Sequence, residues 1–193
     1  MPLSDNELLQ QIRQGGKHAF AHLVDRYKDK AMTLAMRMLR NRGEAEEATQ
    51  DAFIRAYHAL GKFAGNSKFS TWFYRILYNV CLTRLAKRHE GTSTIDYADD
   101  QEYASLTSFQ EIESPLEIME SADLVRNVRR VIREMPEKYG TILSMFYLQE
   151  LSHSEICEVS GLPLGTVKVH LFRARAMLID RLTNEFKKEK VFT

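Results

Sequence analysis

The chain has 193 residues, of which 44% are hydrophobic and 27% are charged, a balance that is ordinary for a globular protein with a real core. No apolar run approaches the roughly 20 residues that span a bilayer, and the first residues, MPLSDNELLQQ, lack the basic and apolar segments of a signal peptide. These features exclude a membrane-inserted or secreted class, and we expect a cytoplasmic protein.

The net charge of +1 conceals three blocks of opposite sign. Residues 1–88 hold 15 Lys and Arg against 8 acids, residues 89–120 hold 9 acids and no Lys or Arg, and residues 121–193 hold 12 basic residues against 9 acids. Two basic segments therefore flank an acidic one, and the small net charge does not argue against a nucleic-acid partner.

The first two predicted helices lie in the N-terminal basic block. Ser4 and Glu7 have the spacing of a capping box, in which the two side chains satisfy free backbone N–H groups. This predicts a short helix that ends at the Gly15-Gly16 pair. A longer helix follows from about Lys17 to Leu39, because apolar residues recur there every three or four positions.

A third helix is predicted from Glu44 to Leu60, after a break at Asn41-Arg42-Gly43. Acids in its first turns suit the positive end of the helix dipole. Ala48, Ala52, Ala56, Tyr57 and either Phe53 or Ile54 are expected to face inward. The remaining polar face fits either plain solvation or a docking surface, and it consists of Glu46, Glu47, Gln50, Asp51 and Arg55.

A glycine-containing loop, GKFAGNSK, precedes a fourth predicted helix, Trp72 to Arg88, with Ser70 or Thr71 as its cap. Aromatic and basic residues alternate across the loop and the helix. Aromatic rings on a basic surface suit unstacked single-stranded bases, and each stacked base contributes about 1–3 kcal/mol. The alternative is that Trp72, Phe73, Ile76, Leu77 and Val80 form the core stripe, and we expect both interpretations to hold in part.

Residues 91–119 show no sustained periodicity, and Ser, Thr, Asp and Glu dominate them. This composition predicts a flexible acidic linker. Helical periodicity returns from Asp123 to Met135, where Pro136 ends the helix, and again from Glu137 or Lys138 to Gln149.

The last stretch has the spacing of a helix-turn-helix. Ser152 and Glu155 form a second capping box, and Gly161 suits the left-handed conformation at a helix end. A second helix is expected from Gly165 or Thr166, with Val167, Leu171, Ala174, Leu178 and Leu182 on one face. Lys168, His170, Arg173 and Arg175 project from the others, so this helix suits a major groove. The alternative is an ordinary helical hairpin with solvated arginines.

Other classes of site find little support. Cys81 and Cys157 have no zinc-ligand spacing, and His153 with Cys157 supplies too few ligands for a metal. The sequence has no Gly-rich phosphate loop, HExxH or nucleophile motif. We therefore expect no metal, no cofactor and no enzyme activity.

No convincing strand appears, so the predicted fold is all-α, with two small helical domains joined by a flexible acidic linker. The expected boundaries are residues 1–90 for the first domain, 91–120 for the linker and 121–193 for the second domain, which holds the helix-turn-helix.

The two helical blocks in this order resemble the extracytoplasmic-function (ECF) sigma factors, the smallest class of bacterial transcription initiation factor, which have regions 2 and 4 of the sigma-70 family. The resemblance to region 2 lies in EAEEATQDAFIRAYHAL and KFAGNSKFSTWFYRILYNVCLTRLAKR. The resemblance to region 4 lies in MPEKYGTILSMFYLQELSHSEICEVSGLPLGTVKVHLFRARAML. It covers nearly the whole chain apart from the linker.

This resemblance implies partners and functional residues. Bacterial core RNA polymerase would bind the polar face of the third helix, at Glu46, Glu47, Gln50, Asp51 and Arg55. The loop and the fourth helix would recognise and melt the minus-ten promoter element, and the loop would receive a flipped base. Asn79 is either a base reader or a plain surface residue. The implied minus-ten residues are Lys62, Phe63, Asn66, Lys68, Phe69, Trp72, Phe73, Arg75 and Asn79.

The second helix of the helix-turn-helix would read the minus-thirty-five element as duplex DNA, where Arg and Lys pair with guanine and an apolar ring packs on a thymine methyl. Lys168, Val169 and His170 depart from the family pattern, so the base preference does not transfer. The implied residues are Thr166, Lys168, Val169, His170, Phe172, Arg173 and Arg175.

The family resemblance also implies an anti-sigma factor that holds the free protein inactive. The acidic linker would thread through the basic RNA path of the polymerase. The rival interpretation is a dimeric helix-turn-helix regulator that binds operator DNA alone, without polymerase.

Overall fold

The computed structural model describes residues 3–88 and 122–191, and within these ranges it contains α-helices, one 3₁₀ turn and no strand. The helices fall into two groups that are separate in sequence, which confirms the predicted all-α class with two helical domains. The predicted acidic linker, residues 91–120, lies outside the described residues.

The N-terminal domain packs three helices around a long central one. Its elements are α1 (Asp5–Arg13), α2 (Ala19–Leu39), α3 (Arg42–Ala59), a 3₁₀ turn (Leu60–Lys62) and α4 (Phe69–Arg88). Helix α2 contacts α1, α3 and α4, and α3 also packs along α4. Their shared core is rich in aromatic rings, including the Phe53 ring stacked on that of Phe73 at 4.4 Å between centroids.

Side-chain hydrogen bonds fix the starts of two helices in this domain, and the first of them, the capping box of Ser4, was predicted. Ser4 and Glu7 form the full capping box at the start of α1. The Asn41 side chain accepts the Glu44 N–H at 3.1 Å, so α3 begins at Arg42, two residues before the predicted start. The preceding residue, Arg40, takes the left-handed conformation with φ of 53° and ends α2.

The predicted start of the fourth helix is wrong. Helix α4 begins at Phe69, and the Trp72 N–H already donates to the Lys68 carbonyl at 3.1 Å. Ser70 and Thr71 therefore lie inside the first turn and do not cap it. Thr71 is buried and its hydroxyl donates to Glu155 of the other domain at 3.1 Å, a tertiary contact that local spacing does not reveal.

The C-terminal domain consists of α5 (Ala122–Glu134), α6 (Glu137–Tyr147), α7 (His153–Ser160) and α8 (Leu164–Val191). Helix α8 contacts the other three. Pro136 separates α5 from α6, since proline cannot donate the backbone hydrogen bond that a continuous helix needs.

The predicted helix-turn-helix is present as α7 and α8. Ser152 and Glu155 form the capping box, and Gly161 ends α7 with φ of 75°. Helix α8 begins at Leu164, one residue before the predicted start, and extends to Val191.

The two domains are in contact with each other. Helix α6 packs on α2, and α7 packs on α4.

Candidate polymerase and promoter interface

The polar face of α3 is displayed to solvent as the sequence predicts. Glu46, Glu47, Gln50 and Arg55 are exposed, and Asp51 is half-buried. Arg84 of α4 reaches this face, with 2.8 Å to Glu47 and 3.9 Å to Asp51. Exposed ion pairs of this kind contribute about 1 kcal/mol or less, so a partner with its own cations can exchange them.

An apolar side chain lies on the same face of α3. Of the two alternatives for the inward position, Phe53 is buried and Ile54 is 55% exposed. Ile54 follows Glu47 and Gln50 by seven and four residues, so it shares their side of the helix. Ile54 was not predicted as part of the docking surface, and its exposure in the folded domain identifies it.

Three of the predicted minus-ten residues belong to the core. Phe63, Phe69 and Phe73 are all buried. The Phe69 ring stacks on Phe73 at 6.0 Å between centroids, and Phe63 lies 4.9 Å from the Trp72 ring. A base stacks only on a free ring face, so these phenylalanines do not offer a surface to DNA in this arrangement. Phe73 belongs to the alternative core stripe that the sequence predicts, whereas the burial of Phe63 and Phe69 was not predicted.

The exposed remainder of the predicted minus-ten set is polar and basic. Trp72 is half-buried. The exposed residues of the set are Lys62, Asn66, Lys68, Arg75 and Asn79. Arg75 and Asn79 are four residues apart on α4, which places them on one face. Gly65 has φ of 77° and gives the preceding loop its left-handed turn.

The predicted minus-thirty-five residues also divide by exposure. Lys168 is exposed, Phe172 is 46% exposed, and Thr166, Arg173 and Arg175 are half-buried. Val169 and His170, however, are buried. The prediction that these two face the groove is therefore wrong for this structure.

The burial of His170 has a visible cause in the packing of α8 on α6. The His170 ring stands edge-on to Tyr139 with 5.4 Å between centroids. Of the seven residues predicted to contact the minus-thirty-five element, only Lys168 and Phe172 are therefore exposed.

Aromatic residues of α6 hold the two arginines of α8. The Arg175 Nε donates to the Tyr147 hydroxyl at 2.9 Å, and its guanidinium lies 5.0 Å from the centre of the Phe146 ring. Arg173 Nη1 donates to the Tyr139 hydroxyl at 3.2 Å. The helical periodicity from Glu137 to Gln149 does not single out Phe146 and Tyr147, because their partners lie on a helix nearly 30 residues away.

No other chemistry stands out in the described residues. Burial raises the pKa of the Cys81 thiol to about 12, so this thiol stays protonated and unreactive at neutral pH. In residues 3–88 and 122–191, no group of three His, Cys, Asp or Glu side chains is placed to hold a metal ion. Over the same ranges, no helix has the length and apolar character to cross a membrane.

Family models match both domains. Sigma-70 region 2 matches residues 23–90, and sigma-70 region 4 matches residues 126–178. The first match covers the exposed face of α3 and the basic surface of α4. The second covers the helix-turn-helix and the α6 aromatic residues.

Curated relatives match along almost the entire chain. The ECF RNA polymerase sigma factor SigW of Bacillus subtilis (strain 168) is 38% identical over 189 residues, covering 94% of this chain and 98% of the relative. The RNA polymerase sigma-H factor of Pseudomonas aeruginosa is 36% identical, with 89% and 90% covered. The ECF sigma-E factor of Escherichia coli (strain K12) is 34% identical, with 93% and 95% covered.

Solved structures share the fold. CnrH, in complex with the cytosolic domain of CnrY, has a TM-score of 0.62 at 22% identity and covers 93% of this chain and 97% of its own. The sigma factor RpoE, in complex with the anti-sigma factor NepR from Bartonella quintana, has a TM-score of 0.62 at 16% identity, with 85% and 96% covered. Given the two matched regions and the identity to curated relatives over most of both chains, the protein belongs to the ECF RNA polymerase sigma factors.

Proposed function

We propose that this sigma factor binds core RNA polymerase through α3, reads the minus-thirty-five element as duplex with α8, and recognises and melts the minus-ten element with α4 and its preceding loop. The observation that carries the proposal is the division of exposed side chains. Each of the three surfaces presents polar or basic groups from a separate helix. Phe53 of α3 and Phe63, Phe69 and Phe73 at α4 are buried, whereas Phe146 and Tyr147 beside α8 are half-buried.

The α3 surface suits a charged helical partner. Glu46, Glu47, Gln50, Asp51 and Arg55 form its polar part, and exposed Ile54 supplies an apolar anchor within it. A small apolar centre surrounded by polar groups is the usual anatomy of a protein interface. The weak ion pairs to Arg84 keep the acids oriented until polymerase cations replace them.

The minus-ten surface works through its exposed members. Lys62, Lys68 and Arg75 neutralise phosphates, while Asn66 and Asn79 offer amide groups to unpaired bases. Buried Phe63, Phe69 and Phe73 then act as the support for the loop and α4 rather than as stacking platforms.

The minus-thirty-five surface has two exposed side chains, the cation Lys168 and the apolar ring of Phe172. Beside them lie Arg173 and Arg175, which donate hydrogen bonds to tyrosines of α6. Lys168 can donate to guanine, and Phe172 can pack on a thymine methyl. Arg175 uses Nε on Tyr147, so both of its terminal nitrogens remain for a phosphate. His170 instead packs against Tyr139 of α6, and Val169 is buried.

The remaining parts of the proposal follow from the family. Residues 1–90 form region 2, residues 91–120 form an acidic linker that follows the RNA path, and residues 121–193 form region 4. Since the solved relatives are complexes with CnrY and with the anti-sigma factor NepR, we expect an anti-sigma partner for this chain. We also expect a cytoplasmic transcription factor without catalytic activity of its own.

Run-off transcription from a promoter library tests the proposal. Core polymerase plus this protein should give sequence-specific transcripts, and each component alone should give none. The enriched elements would then define what α8 and α4 recognise. Tight binding of the protein alone to palindromic duplex, without transcription, would instead support the dimeric regulator.

A further inference from the structure

The loop before α4 has little backbone support of its own. Within the part of the chain that the structure describes, residues 64–67 make no backbone-to-backbone hydrogen bond. This stretch carries exposed Asn66, which the proposed function assigns to the minus-ten element. Its conformation therefore depends on how the chain is held at the two ends of the stretch, Phe63 and Lys68.

The Lys68 end is held by the first turn of α4, where the Lys68 carbonyl accepts the Trp72 N–H at 3.1 Å. At the other end the Phe63 ring is buried, with ring centroids 4.9 Å from Trp72 and 6.3 Å from Phe69. Apolar contacts of this kind have no preferred direction. They hold the side chain of Phe63 more firmly than the peptide group that leads from Phe63 into the loop.

Arg13 holds that peptide group. It lies in the last turn of α1, and its Nη2 donates to the Phe63 carbonyl at 2.8 Å, a contact between residues 50 positions apart. A hydrogen bond from a charged donor is shorter and stronger than one from a neutral donor. The bond acts where the chain leaves the aromatic core and enters the exposed loop.

Helix α1 does not use the Arg13 side chain to close its own end. The backbone N–H groups of Gln14, Gly15 and Gly16 donate to carbonyls in the last turn of α1 at 2.9–3.1 Å. Those carbonyls would otherwise lack partners within the helix. The guanidinium therefore serves the loop and not the C-terminal cap of α1.

The first turn of α1 is tied to α2 next to the start of α4. The Asp5 carboxylate accepts a hydrogen bond from the Tyr27 hydroxyl and pairs with Arg26. The Tyr27 ring in turn packs on Phe69, with 5.5 Å between centroids. Because α1 is anchored at this end, Arg13 extends toward the loop from a helix whose position is fixed.

We propose that Arg13 is a positioning residue for minus-ten recognition, which acts by holding the loop between Phe63 and Lys68 in the conformation that accepts a base. The proposal rests on the proposed function, since it takes this loop as a contact of the minus-ten element. A loop that is already ordered loses less conformational entropy on binding. Loss of the Arg13 contact should therefore weaken recognition of the base that the loop receives and leave the other bases unaffected.

Arg13→Ala removes the contact, and Lys17→Ala is the matched control because Lys17 is an exposed cation in the turn after α1. The full chain with core polymerase is titrated by fluorescence anisotropy. The ligands are the minus-ten single strand selected from the promoter library and strands that carry one changed base at a time. The quantity compared is the ratio of affinities for the selected and the changed strand. This ratio does not depend on the fraction of active protein, so a domain that is only destabilised leaves it unchanged.

We expect Arg13→Ala to lower the affinity ratio about three- to tenfold at one position of the element, with the salt dependence of the wild type. Lys17→Ala should match the wild type at every position. In the free full chain, NMR relaxation should give lower order parameters for the Gly65 and Asn66 amides in Arg13→Ala than in the wild type.

Two results would overturn the positioning role. One is an affinity ratio for Arg13→Ala that equals the wild-type ratio at every position. The other is an equal loss of affinity for all strands with a salt slope shallower by about 0.7, the value for one phosphate contact on a single strand, which would make Arg13 a direct phosphate contact.

Failure of the proposed function gives a different result. A wild-type holoenzyme with no base preference at any position of the strand would overturn the assignment of the loop to the minus-ten element. The order parameters do not depend on promoter binding, so they show whether Arg13 holds the loop in that case as well.

Discussion

The contact between Tyr147 and Arg175 predicts a measurable coupling in minus-thirty-five recognition. Tyr147→Phe keeps the aromatic ring beside the guanidinium and removes only the hydroxyl that accepts from Nε at 2.9 Å. A hydrogen bond from a charged donor contributes about 1.5–3 kcal/mol, and partial exposure of Arg175 reduces this to about 1 kcal/mol. The holoenzyme should therefore lose about fivefold in affinity for promoter duplex.

The salt dependence of DNA binding distinguishes the positioning role of Tyr147 from the charge of Arg175. Arg175→Ala removes a phosphate contact, so the slope of log K against log salt should become shallower by about 0.9. Tyr147→Phe keeps the cation and should leave that slope unchanged. In the Arg175→Ala background, Tyr147→Phe should have no further effect. Tyr57→Phe, in the other domain, serves as the control.

Filter-binding titrations at several salt concentrations provide these values. A Tyr147→Phe loss that persists in the Arg175→Ala background would show that the hydroxyl acts on the fold and not on the arginine. An unchanged slope in Arg175→Ala would show that this arginine does not contact a phosphate.

Three further predictions concern the core, the contact between Lys68 and Glu155, and the polymerase surface. Phe73→Ala should lower the free energy of unfolding by about 3–5 kcal/mol, measured by thermal or urea denaturation, because the ring is fully buried; a loss below about 1 kcal/mol would contradict this packing. Burial raises the pKa of Glu155, but hydrogen bonds from the Ser152 N–H and hydroxyl, Lys68 and Thr71 outweigh it and lower the pKa to about 2. Because the folded pKa of Glu155 lies below the ordinary value, its carboxylate stabilises the fold above about pH 4.5, and this contribution is lost as the pH falls toward 2. Lys68→Ala should raise the pKa of Glu155 in an NMR titration. An unchanged pKa of Glu155 would argue against the Lys68 contact in solution. Ile54→Asp should weaken core polymerase binding at least about fivefold with unchanged stability, and equal affinity would remove Ile54 from the interface.

Local signals in the sequence were sufficient for most helix boundaries. The capping boxes at Ser4 and Ser152 and the left-handed Gly161 depend on hydrogen bonds within a few residues, so spacing alone predicts them. The prediction of the start of α4 was wrong because it depended on a contact between residues far apart in the sequence. Thr71 looked like a cap, but its hydroxyl bonds to Glu155, 84 residues further along the chain.

For the site residues too, helical spacing did not predict contacts between residues that are far apart in the sequence. Helical spacing predicted that the polar face of α3 is exposed, and it could not choose between Phe53 and Ile54, because a single helix does not specify where its neighbours lie. The family resemblance assigned Val169 and His170 to the groove, and helical spacing had also placed His170 away from the apolar face. Their burial depends on how α8 packs against the rest of the C-terminal domain, and for His170 the neighbour is Tyr139 of α6.

Aromatic density in α4 was the least decisive signal. The composition fits both a base-stacking surface and a core, and only the ring contacts among Phe63, Phe69, Trp72 and Phe73 separate the two. The exposed surface of the loop and α4 is polar and basic, and it lies over a core of aromatic rings.

Permanganate footprinting of unpaired thymines tests the central claim most directly. On a promoter from the selected library, core polymerase with this protein should make thymines in the minus-ten element reactive, and Arg75→Ala or Asn79→Ala should reduce that reactivity while the minus-thirty-five contacts persist. Thymines that stay unreactive with both components present, despite stable binding of the holoenzyme to the promoter, would contradict the assignment of α4 to promoter melting.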